Sequence, residues 1–189
     1  MNLTITNKEA TNEESFISGK KSRIIQNSGN NEWYTPGYII EAARNTMGSI
    51  DLDPASSAIA NQTVGAKNYY TKEDNGLIQP WHGNIWLNPP YSRSLISRFS
   101  SAVIDKRKEY EQAIVLVNNA TDTLWYHNLG QNCNAACILC QRIKFIDVTG
   151  KAIGSSMQGQ IILYFGLNLQ KFTENFSVFG SIYEPYVKS

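Results

Sequence analysis

A surplus of one charge is missing from this 189-residue sequence. Its 17 lysines and arginines nearly balance 16 aspartates and glutamates, for a formal net charge of +1. A strongly basic domain would argue for a nucleic-acid partner, and this balance argues neither for nor against one. Long hydrophobic runs are also missing, so nothing is suited to span a membrane, and the polar start Met1-Asn2-Leu3-Thr4 is unlike a signal peptide. A soluble, cytoplasmic protein is expected. Cysteine is scarce and odd in number: Cys133, Cys137 and Cys140, with His127 nearby. Their spacing matches no standard zinc module, and Ala135, Ala136, Ile138 and Leu139 make their surroundings apolar. Buried free thiols are expected and no metal is assigned. No Gly-x-Gly follows the first acidic strand, which excludes a dinucleotide fingerprint. No repeat or linker interrupts the chain, and its length suits one domain.

What is present begins after residue 30. Residues 1–30 hold few large apolar groups, so they are expected to form a disordered or flexible arm. Lys20, Lys21 and Arg23 in it read either as solvated charge or as phosphate contacts. The domain is expected over 31–180, with 181–189 as a C-terminal tail. Thr35 suits a helix N-cap and Pro36 the first helical position, and Ile39, Ile40, Ala43 and Met47 carry helical spacing up to Gly48. A helix over 36–47 follows. Ser49-Ile50-Asp51-Leu52-Asp53-Pro54 alternates and is stopped by proline, so it reads as a short strand. Acidic groups at the end of such a strand can grip a ribose or an amine. Residues 66–70 suggest another short strand, before a polar loop in which Asp74 can accept from a purine amino group.

Strands are expected at 83–87, 113–117, 136–140 and 160–165, and 142–146 reads as an edge strand or an extended loop. Helices are expected from Ser92 to about Ile104, over 122–129 and over 171–178, with coil after that. Alternating strands and helices imply an α/β domain with a largely parallel sheet.

The stretch that concentrates chemistry is Gly83-Asn84-Ile85-Trp86-Leu87-Asn88-Pro89-Pro90-Tyr91. A buried strand ends in a turn that two prolines make rigid. An aromatic ring, an amide and a fixed proline carbonyl at the carboxyl end of a strand make a pocket for a flat base bearing an amino group.

Trp33-Tyr34-Thr35-Pro36, Asp51-Leu52-Asp53-Pro54-Ala55-Ser56, Asp74 with Gly76-Leu77 and Trp81, and Asn88-Pro89-Pro90-Tyr91, in this order, resemble the phage-type DNA N-6-adenine methyltransferases. Asp122-Thr123-Leu124-Trp125-Tyr126-His127 and Arg142-Ile143-Lys144-Phe145 also look like that family. The resemblance implies a single-domain Rossmann-like methyltransferase fold that binds S-adenosylmethionine and acts on double-stranded DNA in a bacterial host. The cofactor half looks compressed. Trp33, Tyr34, Thr35, Pro36, Asp51, Asp53, Pro54, Asp74 and Asn88 are its candidate cofactor residues, with the choice between Asp51 and Asp53 open. Asn88, Pro89, Pro90 and Tyr91 are the candidate catalytic residues. The Asn88 oxygen and the Pro89 carbonyl would accept the two hydrogens of adenine N6, and Tyr91 would stack on the extruded base. Arg93, Arg98 and Lys144 read as DNA backbone contacts or as ordinary surface charge. The rival expectations are the same chemistry on cytosine N4, RNA adenine or a glutamine side chain, and a cofactor-binding relic without turnover.

Overall fold

The computed structural model describes residues 34–147, 149, 151–152 and 158–185. The expectations for the 1–30 arm, for Trp33 and for residues 186–189 fall outside these. Among the described residues five helices and seven strands follow one another: α1 (Gly37–Met47), β1 (Leu52–Asp53), α2 (Ala58–Val64), β2 (Asn68–Tyr69), β3 (Asn84–Leu87), α3 (Arg93–Asp105), β4 (Gln112–Asn118), α4 (Leu124–Asn132), β5 (Ala135–Leu139), β6 (Gln160–Phe165), α5 (Leu169–Phe176) and β7 (Gly180–Tyr183). The strands form one sheet in the order β2-β1-β3-β4-β6-β5-β7. The pairs β1–β2, β1–β3 and β3–β4 are parallel, while β4–β6, β5–β6 and β5–β7 are antiparallel. Five strands, β1 to β5, therefore run in one direction, and β6 and β7 oppose them. This is the α/β architecture expected, with a short first half: β1 and β2 are two residues each.

Strand alternation sorts the core onto the two faces of the sheet. Trp86, Ile114, Leu116, Ile162 and Tyr164 face α1 and α5, where they meet Ile39, Ile40, Ala43, Phe172 and Phe176. Ile85, Leu87, Val115, Val117, Leu163 and Phe165 face α3 and α4, where they meet Ile96, Phe99, Val103 and Leu129. Near-continuous burial of β4 and β6 on both faces explains their unbroken apolar runs.

A buried polar network locks the amino end of the sheet. Asn84 Nδ2 donates to the Met47 carbonyl at 3.1 Å and to Ser49 Oγ at 2.9 Å. Gln112 Nε2 donates to the same carbonyl at 3.1 Å and to Asn84 Oδ1 at 3.0 Å, while Gln112 Oε1 accepts from the Tyr164 hydroxyl at 2.7 Å. The last turn of α1 is thus held against β3 and β4.

Three local readings change, and one pair of alternatives is decided. Thr35 does not cap α1: Pro36 is the capping residue, in an extended conformation, and the Thr35 hydroxyl is engaged elsewhere. Helix α2 has no counterpart among the expected helices, because only Val64 of it is buried and its periodicity is weak. It is set by local chemistry: Ser57 Oγ accepts from Ala60 N–H at 3.1 Å, and Gly65 ends it in a left-handed conformation. Residues 181–183 are strand rather than coil, since β7 pairs with β5 at the sheet edge. Residues 142–146 form the extended loop of the two alternatives, touching Tyr34 through one antiparallel bridge at Ile146. Among the described residues no helix is long and apolar enough to cross a membrane.

Candidate active site

Sheet topology chooses the site. From β1 the chain crosses through α2 to β2 on one side, and from β3 it crosses through α3 to β4 on the other. The carboxyl ends of β1 and β3 therefore flank a switch point, where open α/β sheets bind ligands. Asp53 is the last residue of β1, and Asn88 directly follows the last residue of β3. Leu52 pairs with Ile85, so Asn88 stands two residues beyond the level of Asp53. That is about 7 Å along the strands.

Asn88 is clamped at both ends of its amide. Its Nδ2 donates to Thr35 Oγ1 at 3.2 Å, and its Oδ1 accepts from the Tyr91 hydroxyl at 3.0 Å. Thr35 is buried, and Tyr34 before it exchanges both backbone hydrogen bonds with Ile146, at 3.1 and 3.0 Å. The start of α1 is therefore pinned beside the motif. Pro89 is buried and Pro90 exposed, so the first proline is held by packing and the second faces solvent. Tyr91 is half-buried against the core that α3 and α4 cover, and burial pushes its phenol well above the ordinary range. It stays a neutral hydroxyl. Trp125 and Tyr126 of α4 border the same core. The sequence signal for these two rings is the Asp122–His127 stretch, whose pattern points to a helix and does not say what the helix packs against.

The two aspartates separate. Asp51 pairs at the level of Asn84, four residues before Asn88 and about 13 Å back along the strand. Its carboxylate is committed at the amino end of the sheet: Oδ1 meets Lys67 Nζ at 2.7 Å and the Ser49 hydroxyl at 3.1 Å, and Oδ2 accepts from Asn84 N–H at 2.9 Å. Burial alone would raise its pKa, but these donors outweigh burial and lower it. Gly83 turns tightly over this carboxylate with φ of 62°, and a Cβ there would lie 2.5 Å from Asp51 Oδ2. The structure thus makes Asp51 a clamp between β1 and β3 and does not bring it to Asn88.

Asp53 is different. It is 3 % exposed, and burial pushes its carboxyl up to about 7, opposed by the Ala55 N–H at 3.2 Å and by the Ser56 hydroxyl. The Ser56 oxygen is buried and has no hydrogen-bond partner among the described residues. A buried carboxyl and an orphaned hydroxyl at the switch point fit a ligand carrying hydroxyl or ammonium donors.

Pro54 is buried beneath the loop that carries Asp74. Gly76 of that loop lies so close to Pro54 that a Cβ would collide with the Pro54 carbonyl. The Gly76 carbonyl accepts from Trp81 Nε1 at 2.8 Å. Asp74 is exposed at the rim, with Oδ2 taking the Thr71 N–H at 2.8 Å and the Thr71 hydroxyl at 2.7 Å, which lowers its pKa. Arg93, Arg98 and Lys144 are exposed and form no ion pair among the described residues. Arg93 opens α3, two residues after the motif.

Cys133 and Cys137 are buried, their thiols donating to the carbonyls of Gly130 and Phe176, while Cys140 is exposed. Burial pushes Cys133 up to about 12 and Cys137 up to about 11. Burial favours the neutral thiol in both. Among the described residues no three His, Cys, Asp or Glu side chains converge on a metal position.

The ordered motifs and this geometry agree with the comparison to known families. The family model described as DNA N-6-adenine-methyltransferase (Dam) matches residues 21–182. The chain belongs to the DNA N-6-adenine-methyltransferase (Dam) family. Its sheet and switch point are those of a Rossmann-like methyltransferase fold. A protein of Escherichia phage T1 named DNA N-6-adenine-methyltransferase is 30 % identical over 149 residues, covering 69 % of this chain. The chain spans 60 % of that relative's length.

Proposed function

We propose that this chain transfers a methyl group from S-adenosylmethionine to the exocyclic N6 of adenine in double-stranded DNA, with residues 31–180 as the catalytic domain. One observation carries the reading: the Asn88 amide, held at both ends, stands at the switch point beside a buried proline. Adenine N6 is a poor nucleophile because its lone pair is delocalised into the ring. Accepting both of its hydrogens on Asn88 Oδ1 and the Pro89 carbonyl favours the tetrahedral nitrogen of the transition state. Both acceptors are fixed before substrate arrives, so little reorganisation is needed.

S-adenosylmethionine supplies an electrophilic methyl sulfonium when bound. Asp53 and Ser56 would hold its ribose or ammonium group, and Pro54 with Asp74 would border its adenine. Asp51, committed to Lys67, is left out of this set. Tyr91 would cover the extruded adenine, a stacking contact of about 1–3 kcal/mol in single-strand systems. Asparagine is not a useful base, so the N6 proton leaves to water after transfer. Arg93, Arg98 and Lys144 would meet the DNA backbone.

The test is incubation with labelled S-adenosylmethionine and unmethylated DNA, followed by mass spectrometry of the nucleosides. N6-methyladenine is expected. The Asn88→Ala protein should bind the cofactor and transfer nothing, and methylation retained in it would refute the role of Asn88. N4-methylcytosine would move the reading to cytosine. Cofactor binding by the unaltered protein without turnover on DNA or RNA would make the protein a relic.

A further inference from the structure

A balanced net charge hides where the charges are. From Asn75 to Ile104, and again from Thr123 to Ile146, the sequence holds no aspartate or glutamate. These stretches include all of α3 but its last residue, Asp105, and the whole of α4. The two helices pack side by side, which sets their axes about 8–10 Å apart. Helix α3 follows β3 and leads to β4, and α4 follows β4 and leads to β5, so both begin at the carboxyl end of the sheet, where Asn88 stands. Their exposed side chains include Arg93, Ser94, Arg98, Ser101, His127 and Asn128. Guanidinium groups, hydroxyls and an amide with no carboxylate among them suit a row of phosphates. One residue of this face has a different chemistry. Leu124, the first residue of α4, is 84 % exposed.

We propose that the α3–α4 face seats the target duplex and that Leu124 enters the base stack, filling the space the extruded adenine leaves. This rests on the methyltransferase reading above. Extrusion breaks the stacking on both sides of the target base. An apolar side chain in the gap restores contact with the neighbouring bases and is itself removed from water. A single exposed leucine is ordinary on a protein surface, so its setting has to carry the inference. Leu124 is held on a fixed support. The Thr123 N–H and hydroxyl both donate to the Ala120 carbonyl, at 3.0 and 2.8 Å, and Trp125 and Tyr126 pack on the core cluster that Tyr91 joins. It lies about one helix spacing from the start of α3, where Arg93 comes two residues after Tyr91. Leu167 is more exposed, at 92 %, but it follows β6, which runs against β4, and so lies at the opposite end of the sheet. The carboxylates Asp105 at the end of α3 and Asp122 ahead of α4 bound the face.

The test uses the full chain with Leu124→Ala, which removes most of the apolar side chain, and Leu124→Met, which keeps its size. The readout is kcat/KM on duplex DNA divided by kcat/KM on the same sequence as a single strand, where no paired stack has to be held open. Leu124→Ala should lower this ratio on the order of tenfold, and Leu124→Met should restore it. An unchanged ratio in Leu124→Ala overturns the proposal, whether both activities persist or both fall alike. So does a ratio as low in Leu124→Met as in Leu124→Ala. A second measurement needs neither turnover nor a known recognition sequence. By fluorescence anisotropy the unaltered protein should bind a duplex with one abasic site more tightly than the intact duplex, because the gap is already open. Leu124→Ala should lose that preference, and Arg98→Ala should weaken binding to both duplexes alike. If the unaltered protein methylates nothing while the preference depends on Leu124, the methyltransferase reading fails and the role of Leu124 stands. No preference for the abasic duplex, or one that ignores Leu124, overturns that role. Unchanged affinity in Arg98→Ala overturns the α3–α4 face as the seat of the duplex.

Discussion

Asp53 should make this protein less stable as the pH rises, and the effect can be sized. Its carboxyl is 3 % exposed and pushed from an ordinary 3.8 up to about 7 by burial. The sign follows from linkage. Below the unfolded value both states hold the proton, and Asp53 contributes nothing. Between the unfolded and folded values the unfolded chain ionises first, so folding is penalised progressively. Above the folded value the penalty is complete and constant. A shift of roughly three units corresponds to about 4 kcal/mol at full development, of which about 2.5 kcal/mol develops between roughly pH 5 and pH 8. Asn is similar in shape and cannot ionise. Asp53→Asn should therefore gain on the unaltered protein by about 2.5 kcal/mol between those two pH values, or roughly 5–10 °C in Tm for a domain of this size. The assay is urea denaturation of both proteins at the two pH values without cofactor. All other groups titrate alike in the two chains and cancel. A stability gap that is the same at both pH values would refute the reasoning, because Asp53 would then ionise as an ordinary surface acid. The cofactor reading adds a second expectation. If Asp53 grips a cationic ammonium or accepts from ribose hydroxyls, S-adenosylmethionine should stabilise the unaltered protein more at the higher pH and should stabilise Asp53→Asn little at either. A destabilising buried carboxylate is then kept because the ligand needs it.

Two further perturbations probe the rim of the site. Gly76→Ala forces a Cβ into the Pro54 carbonyl, so the loop must lift; a fall of about 1–3 kcal/mol in unfolding free energy is expected, with weaker cofactor binding by calorimetry. An unchanged affinity would separate Asp74 from the cofactor. Removing Arg93, Arg98 or Lys144 one at a time should weaken DNA binding alike on all sequences and reduce the slope of log K against log salt by about one for each phosphate no longer neutralised, measured by fluorescence anisotropy. A slope that does not move makes that residue ordinary surface charge.

The parts legible in the sequence are those whose signal is local. The apolar runs of β4 and β6, the proline stop after β1, and the rigid turn after β3 each declare themselves within a few residues. What is not legible depends on pairing. Asp51 and Asp53 look equivalent on paper, two residues apart in one strand. They part only because the register of β1 on β3 sets Asp51 against Asn84 and the Lys67 ammonium, and leaves Asp53 at the end of the strand beside Ser56. Thr35 has the look of a helix cap because its partner, Asn88, lies 53 residues on. Helix α2 escapes a periodicity reading because its information is in Ser57 and Gly65 rather than in an apolar stripe.

The same logic accounts for the missing glycine loop. In a dinucleotide fingerprint, glycines after the first strand let backbone approach ligand and helix closely. Here Asp53 is followed by Pro54, which is stiff, and no glycine comes next. The close approach is supplied from outside the turn. Gly76 sits against the Pro54 carbonyl where no side chain would fit, and Trp81 fastens it there through the Gly76 carbonyl. The loop carrying Asp74 is thereby brought down onto the end of β1 from 22 residues away in sequence, the separation of Pro54 and Gly76. On the proposed reading, the cofactor half would not need a glycine in the strand-following turn, because a later loop packs its own glycine onto that turn. The site then depends on a long-range contact, which is why Gly76, with no side-chain chemistry of its own, is expected to be as sensitive to substitution as the acidic and aromatic residues around it.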